Sequence, residues 1–408
     1  MRKLVVVGLV LAAVAVSGWL LLPWAFQPPR RLPPVPFDRT TSAVIPGIPG
    51  ARYFVLQDLE PMIRDVVAAR EREQTFLEQS GHTGPLPPVD LLAVSGGGDK
   101  GAYGAGLLCG WTARGTRPVF KVVTGVSTGA LIAPFAFLGP DYDHVLKTVY
   151  TSVAPTDIAR HRWFLAAVSN DGMADNRPLW ALISKHVDDE LLRKIAAEYA
   201  KGRLLLIGTT DLDARQPVIW NMGAIATNGS PRALDLFRSI LLASAAIPGA
   251  FPPSMVQVEL DGKKYEEMHV DGGASAQVFL YPPSLKRTVA AMGAPAMDRA
   301  GTVYVIRNAA LAPTWAEVER RTISIAGRAI DSLIQTQGLG DLYRIYLTSQ
   351  QDGLDFNVTW IGSDFKYENK KEEFETPFMV ALFDYGFRAG QDDPWKKYPP
   401  GLDKPLAR

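Results

Sequence analysis

The sequence predicts an α/β fold in which a mainly parallel sheet is covered on both faces by helices. Three observations carry that prediction. Apolar runs rich in Val, Ile and Leu recur along the chain, as VDLLAVS (89–95), FKVVTGV (120–126), RLLLIGTT (203–210), PVIWNM (217–222), TVYVIRN (302–308) and DFNVTWIG (355–362). Helix-like stretches follow the first two, AYGAGLLCGW (102–111) and STGALIAPFAFLG (127–139). Both of these strand-to-helix joints are rich in glycine. Near-continuous apolar strands alternating with helices are the pattern of a sheet buried on both sides.

The elements can be taken in chain order. After Met-Arg-Lys, residues 4–26 carry no charge, which predicts an apolar helix long enough to span a bilayer, a task that needs about 20 residues. Ala15-Val16-Ser17 also offers cleavage-like small residues, so a cleaved signal peptide is the alternative. The anchor is favoured because apolarity runs on to Phe26, well beyond a signal core, and Trp19, Trp24 and Arg30-Arg31 suit the far interface. Arg2 and Lys3 then place the amino end inside and the body on the extracytoplasmic, periplasmic side. Residues 27–50 are proline-rich and predict an extended linker. A helical lead-in occupies 51–87, its periodicity clearest over 53–80 before Gly81 and Gly84. The main α/β unit is expected over 88–310. Residues 311–408, with helix-like stretches at 314–337 and 378–390, are expected to be a helical extension packed on it.

Composition excludes several classes. With 43 basic and 42 acidic residues among 408, the net charge of +1 gives no electrostatic footprint for nucleic acid. The single cysteine, Cys109, rules out an internal disulfide and a cysteine-cluster metal site. No metal or organic cofactor is expected.

The glycine-rich joints carry the chemistry. Gly125-Val-Ser127-Thr-Gly129 has the spacing of a nucleophile elbow, a tight strand-to-helix turn that exposes a serine hydroxyl. Upstream, Ser95-Gly-Gly-Gly-Asp-Lys-Gly101 would present backbone N–H groups at a helix amino terminus, a site for negative charge. Gly96-x-Gly98-x-x-Gly101 also satisfies a dinucleotide fingerprint, but residues 119–126 lack the acidic residue that the fingerprint requires. The other candidate anion is the oxyanion of acyl transfer, which needs such donors near the attacking serine. Of five histidines none follows His269, so a Ser-Asp-His order would make His269 the base, oriented by Asp211 or Asp213. Two residues later stands Asp271-Gly272-Gly273, which by itself reads as a turn or cap. Asp211 and Asp213 themselves read as a hairpin, and Asp175 to Pro178 as a helix start.

Taken in order, the GGGDKG loop, the GVSTG elbow about 30 residues on, SILLASAAIPGAFPPS (239–254) and the downstream DGG resemble the patatin-like phospholipase family over roughly 88–310. That resemblance implies a three-layer α/β/α sandwich and a Ser-Asp dyad. Ser127 would be the nucleophile and Asp271 its base. Gly96, Gly97, Gly98, Lys100 and Gly101 would form the oxyanion loop, Gly125 and Gly129 would frame the elbow, and Gly272 and Gly273 would complete the Asp motif. The implied substrate is a lipid or phospholipid acyl ester. Two other readings remain, an α/β-hydrolase-like esterase working through His269, and a catalytically silent membrane-anchored lipid-binding scaffold.

Overall fold

β-Branched and leucine-rich runs buried on both faces give the parallel core. The computed structural model describes residues 30–161, 171–291, 293, 299–312, 315–368 and 370–404. Strands β1 (Val89–Val94), β2 (Val122–Val126), β3 (Leu204–Asp211), β7 (Gly301–Ala310) and β8 (Asp355–Ile361) lie parallel in the order β3-β2-β1-β7-β8. On the far side of β3 runs antiparallel β4 (Gln216–Asn221), followed by the two residues Arg52–Tyr53. A hairpin of β5 (Ser254–Leu260) and β6 (Lys263–Asp271) joins through an antiparallel pairing of β6 with the end of β3.

Alternation along the strands splits the interior into two cores. Leu92, Val94, Val123, Leu205, Ile207 and Ile306 face one layer of helices. This layer contains α2 (Gly101–Ala113), α3 (Thr128–Leu138), α4 (Pro231–Ser244) and α6 (Thr376–Gln391). Their sequence neighbours face the opposite layer: Leu91, Ala93, Val303 and Val305 meet α5 (Thr322–Asp352), while Leu204 and Leu206 meet α1 (Glu60–Gln79). The result is a three-layer α/β/α sandwich.

Three expectations need correction. Residues 30–50 are no spacer: Val35, Thr40, Ala43, Ile45 and Ile48 are buried, Arg31 forks onto Asp213, and Val44 bridges to Glu259. Apolar residues between the prolines let an extended chain lie against the body. Residues 311–408 are not an appended helical layer either, because β8 is a strand of the main sheet and α6 packs in the main helical layer. The helix expected from 314 begins at Thr322. The expected span at 4–26 lies outside the described residues, among which no helix is long and apolar enough to cross a membrane.

The approach of α6 to α2 is close enough to need glycine on both sides. A Cβ at Gly106 or Gly110 would stand 2.0 Å from the carbonyl oxygen of Phe383 or Phe387, and one at Gly386 or Gly390 would stand 2.2 or 2.3 Å from that of Tyr103 or Leu107. Glycine at every fourth position thus lets the two backbones touch. An exposed helical Gly→Ala change stabilises by about 1 kcal/mol; here overpacking, about 1–3 kcal/mol, opposes it. Gly110→Ala and Gly386→Ala should each lower the urea midpoint of the full chain, and a raised midpoint in both would disprove the contact.

Candidate active site

Strand register brings the two ends of the site together. β2 runs parallel to β3 and finishes with Val126 opposite Gly208, whereas β6 runs antiparallel to β3 and finishes with Asp271 opposite Thr209. The two strands lie end to end on the same partner, with their carboxyl ends meeting. Ser127 and Asp271, far apart in sequence, are therefore neighbours. The Ser127 hydroxyl lies close enough to the Asp271 carboxyl group to favour its ionised form.

Ser127 takes φ 55° and ψ −127°, in the left-handed half of backbone space where a side chain is strained. The flanking glycines answer a different demand. A Cβ on Gly125 would lie 2.4 Å from the Gly129 carbonyl oxygen, and one on Gly129 would lie 2.2 Å from that of Val94. Thus the sharp turn expected of the glycines is made by Ser127, and the glycines permit the helix to close on the strands. Ser244 holds the turn from the other side. Its Oγ accepts from the Ser127 N–H at 3.0 Å and donates to the Gly208 carbonyl at 2.7 Å. Sequence reasoning did not find Ser244, although it lies within the 239–254 segment.

Asp271 is both a cap and a partner of the serine. One carboxylate oxygen accepts from the Gly273 N–H at 2.7 Å, and its own N–H donates to the Ala246 carbonyl at 2.9 Å. Burial pushes its carboxyl group up to about 7, against the opposing effect of the Ser127 and Gly273 hydrogen bonds. A Cβ on Gly272 would meet the Gly208 carbonyl oxygen at 2.5 Å, and one on Gly273 would meet the Gln277 amide nitrogen at 2.6 Å. Both glycines are thus required by packing around the carboxylate.

His269 is turned to other partners. Its Nδ1 lies 3.0 Å from Thr209 Oγ1 and its Nε2 lies 3.2 Å from Glu267. Burial, with Arg52 nearby, holds the ring well below its ordinary value, so it is neutral. Asp211 accepts from the N–H groups of Asp213 and Ala214 at the β3–β4 turn, as expected of a hairpin. Asp211, Glu267 and His269 are the one group among the described residues whose ligand-type atoms cluster within 4.8 Å. Arg52 already forks onto Glu267, with 2.8 Å from Nη2 to Oε1, which makes the group a buried charge network rather than a metal centre.

The glycine loop lies directly over the elbow. A Cβ on Gly96 would stand 3.1 Å from Ser127 Cβ, and the Gly96 N–H donates to the Gln277 carbonyl at 3.0 Å. Gly97 (φ 155°) could not carry a side chain, since a Cβ there would lie 2.1 Å from the Asn308 carbonyl oxygen. Gly98 (φ 59°) lines the same cleft as Ser127. Gly101 packs on Thr128, where a Cβ would be 2.1 Å from Oγ1, and the Lys100 side chain is exposed. Asn308, fully buried, fastens the loop. Its N–H and side-chain amide donate to the hydroxyl and carbonyl of Ser95 at 2.8 and 2.9 Å, and its side-chain oxygen accepts from Gly104 at 3.0 Å. No local motif marks Asn308; only its position at the end of an apolar strand hinted at it.

From Ser127 and Gly98 a cleft of about 560 Å³, counting its open mouth, runs between Leu131, Val149, Leu179, Leu182 and Phe251. Almost all of its wall is hydrocarbon. Such a wall suits an apolar chain better than a charged or sugar-like group.

The raised Asp271 has a consequence for stability. A carboxyl that ionises near 3.8 when unfolded and about 7 when folded binds more protons in the native state between those values, so stability falls as pH rises from about 4 to 7 and the full penalty persists above 7. The upper bound is on the order of 4 kcal/mol, at about 1.36 kcal/mol per unit. Asp271→Asn should therefore stabilise the protein at pH 8 by about 1–4 kcal/mol and have little effect at pH 4. Equal denaturation midpoints for parent and variant at pH 8 would contradict a buried, ionisable Asp271.

Residues 92–282, which span both Ser127 and Asp271, match the model of the family described as patatin-like phospholipase. No curated protein sequence matches the chain. Among solved structures, VipD from Legionella pneumophila is similar with TM-score 0.36 and 12% identity, over 76% of this chain and 68% of that one. Human GIVD cytosolic phospholipase A2 is similar with TM-score 0.34 and 11% identity, over 72% of this chain and 53% of that one. Likenesses of this size carry no argument. Residues 92–282 form a patatin-like phospholipase domain, the domain of a family of lipid acyl hydrolases.

Proposed function

We propose that the chain hydrolyses lipid acyl esters, phospholipids among them, with Ser127 as nucleophile and Asp271 as its base. The observation that carries this reading is the meeting of the two strand ends on β3, which sets the serine hydroxyl beside a buried carboxyl group raised to about 7, at the end of an apolar cleft. An ordinary aspartate, near 3.9, is a poor proton acceptor at neutrality; one near 7 is matched to the task.

The steps follow from the positions. Ser127 Oγ attacks the ester carbonyl carbon as its proton passes to the Asp271 carboxylate, and the carbonyl π electrons move onto oxygen. Backbone N–H groups of the glycine loop, those of Gly97 and Gly98 among them, and the amino end of α3 would supply the donors for that oxyanion. Collapse of the intermediate breaks the bond to the alcohol oxygen, which takes the proton from Asp271. Water then attacks the acyl-enzyme, giving its proton to Asp271, and the released serine recovers it. The strained Ser127 backbone keeps the hydroxyl aimed at this point throughout. Lys100, exposed beside the loop, suits an anionic head group.

The dyad is tested on one soluble ester with circular dichroism as a folding control. Ser127→Ala should abolish fluorophosphonate labelling, and Asp271→Asn should slow hydrolysis by about 10²- to 10⁴-fold. His269→Ala should cost far less, because both of its ring nitrogens face other groups. The rate should climb as pH passes about 7, where the carboxylate becomes the prevailing form. Loss of activity in His269→Ala with near-normal rates in Asp271→Asn would replace the dyad by a triad, and a folded parent without labelling or turnover would indicate a silent scaffold.

Anchoring through residues 4–26 belongs to the same proposal, with the catalytic body on the periplasmic side. Hydrocarbon burial is not screened by salt. Full-length protein should stay with membranes through a high-salt wash; soluble mature protein beginning near Gly18 would reveal a cleaved signal instead.

A further inference from the structure

Part of the wall beside Ser127 comes from chain outside the family domain. Phe374 and Met379 line the cleft together with Gly98, Thr128 and Leu131. Phe374 ends the segment that leads into α6, and its backbone takes φ 63°, a region that a bulky side chain rarely occupies. Such a conformation persists only where surrounding contacts over-determine it.

Those contacts come from the glycine loop. Asp99, 1% exposed between Gly98 and Lys100, accepts the Phe374 N–H at 3.0 Å on Oδ2 and pairs through the same oxygen with Lys370 Nζ at 2.8 Å. Lys370 also reaches Glu373 at 2.9 Å and lies 4.8 Å from the centre of the Phe378 ring. Leaving a buried carboxylate without a partner is strongly unfavourable, so Asp99 holds residues 370–375 against the loop. The aromatic wall and the amides over Ser127 are thereby fixed to each other. Thr376 secures the far end, its hydroxyl donating to the Val153 carbonyl at 2.7 Å.

We propose that Phe374 is the specificity-determining wall of the acyl cleft, limiting the chains it admits, and that the Asp99–Lys370 contact positions it. The proposal rests on the acyl-hydrolase reading above. Gly98, Ser127 and Phe374 line one cleft, so an acyl group joined to Ser127 and running along that cleft passes the Phe374 ring. The ring is a fixed wall for a long chain and of little consequence for a short one. Lys370 touches no substrate; it acts through Asp99.

The experiment compares kcat/KM of the full chain on p-nitrophenyl esters from butyrate to palmitate for the parent, Phe374→Ala and Lys370→Met, with fluorophosphonate labelling of each. Room for one further methylene in an apolar pocket is worth about tenfold or more. Phe374→Ala should raise the palmitate-to-butyrate ratio by at least about tenfold, and Lys370→Met should move it in the same direction by less. Binding of a fluorescent long-chain fatty acid should tighten in Phe374→Ala, a readout independent of turnover. Should Phe374→Ala fail to fold, Phe374→Leu carries the test with a smaller shift. Labelled variants whose rates fall in parallel at every chain length, or do not change, overturn the assignment of Phe374 and leave the hydrolase standing. A folded parent that is neither labelled nor active overturns the hydrolase reading and this inference with it.

Discussion

Strand β3 pairs along its site-facing edge with two different strands, and the junction of those two partners is the point on which the site depends. Parallel β2 covers the first part of that edge as far as Gly208, and antiparallel β6 covers the remainder from Thr209. Because the two approach from opposite directions, their last residues meet, and the chain must leave the sheet on both sides at once. Ser127 and Asp271 are the first side chains at that gap. A one-residue slip of β6 would move its end by about 3.3 Å and turn every side chain to the other face. Hydrophobic alternation in the hairpin, with Val256 and Val258 buried and Gln257 exposed between them, helps to fix the register. Packing of the core thus determines a catalytic distance.

The same junction is unfavourable in isolation. It holds a serine in left-handed backbone, a carboxyl group in a nearly dry site, and glycines whose neighbours lie too close for any side chain. What holds it is backbone contact on all sides: Ser244 ties the elbow to Gly208, Ala246 receives the Asp271 N–H, and Gly129 lets α3 sit against the Val94 carbonyl. These restraints come from strands and helices buried in the larger core and, at Ala246, from buried chain just past the end of α4. A rigid scaffold keeps the site strained and its donors oriented before substrate arrives, the condition under which electrostatic stabilisation is most effective.

Legibility in the sequence divides along physical lines. The parallel strands were readable because burial on both faces leaves long apolar runs, and the elbow and glycine loop because their backbone demands leave a spacing. Pairing between distant segments leaves no such mark. Nothing local in EEMHVDGG reveals that its strand ends against Val126 rather than elsewhere, so His269 and Asp271 stayed competing bases until the register separated them. Ser244, Asn308 and Asp99 act through polar contacts to residues far away in sequence, and a single polar residue carries no pattern. The glycines at 106, 110, 386 and 390 do carry one, the every-fourth spacing of closely packed helices, but nothing in the sequence says which two helices it joins. Proline content in 27–50 spoke for an extended chain and said nothing about whether that chain was free; the valines and isoleucines between the prolines answered that.

The loop over Ser127 is held in large part by chain beyond the family domain. Behind it, Asn308 at the end of β7 binds Ser95 and Gly104. The helix that follows it, α2, lies backbone to backbone with α6. In front, Asp99 receives Lys370 and Phe374. Each of these contacts comes from residues after 282, the last position of the family match. Strand β7 also pairs directly with β1, the strand that delivers the loop. Ser127, Asp271 and the glycines lie within the family domain, yet the geometry of the loop depends on packing against the carboxy-terminal third. The working unit of this chain is consequently larger than the segment whose motifs identify it, and the walls of its cleft are set where those motifs are silent.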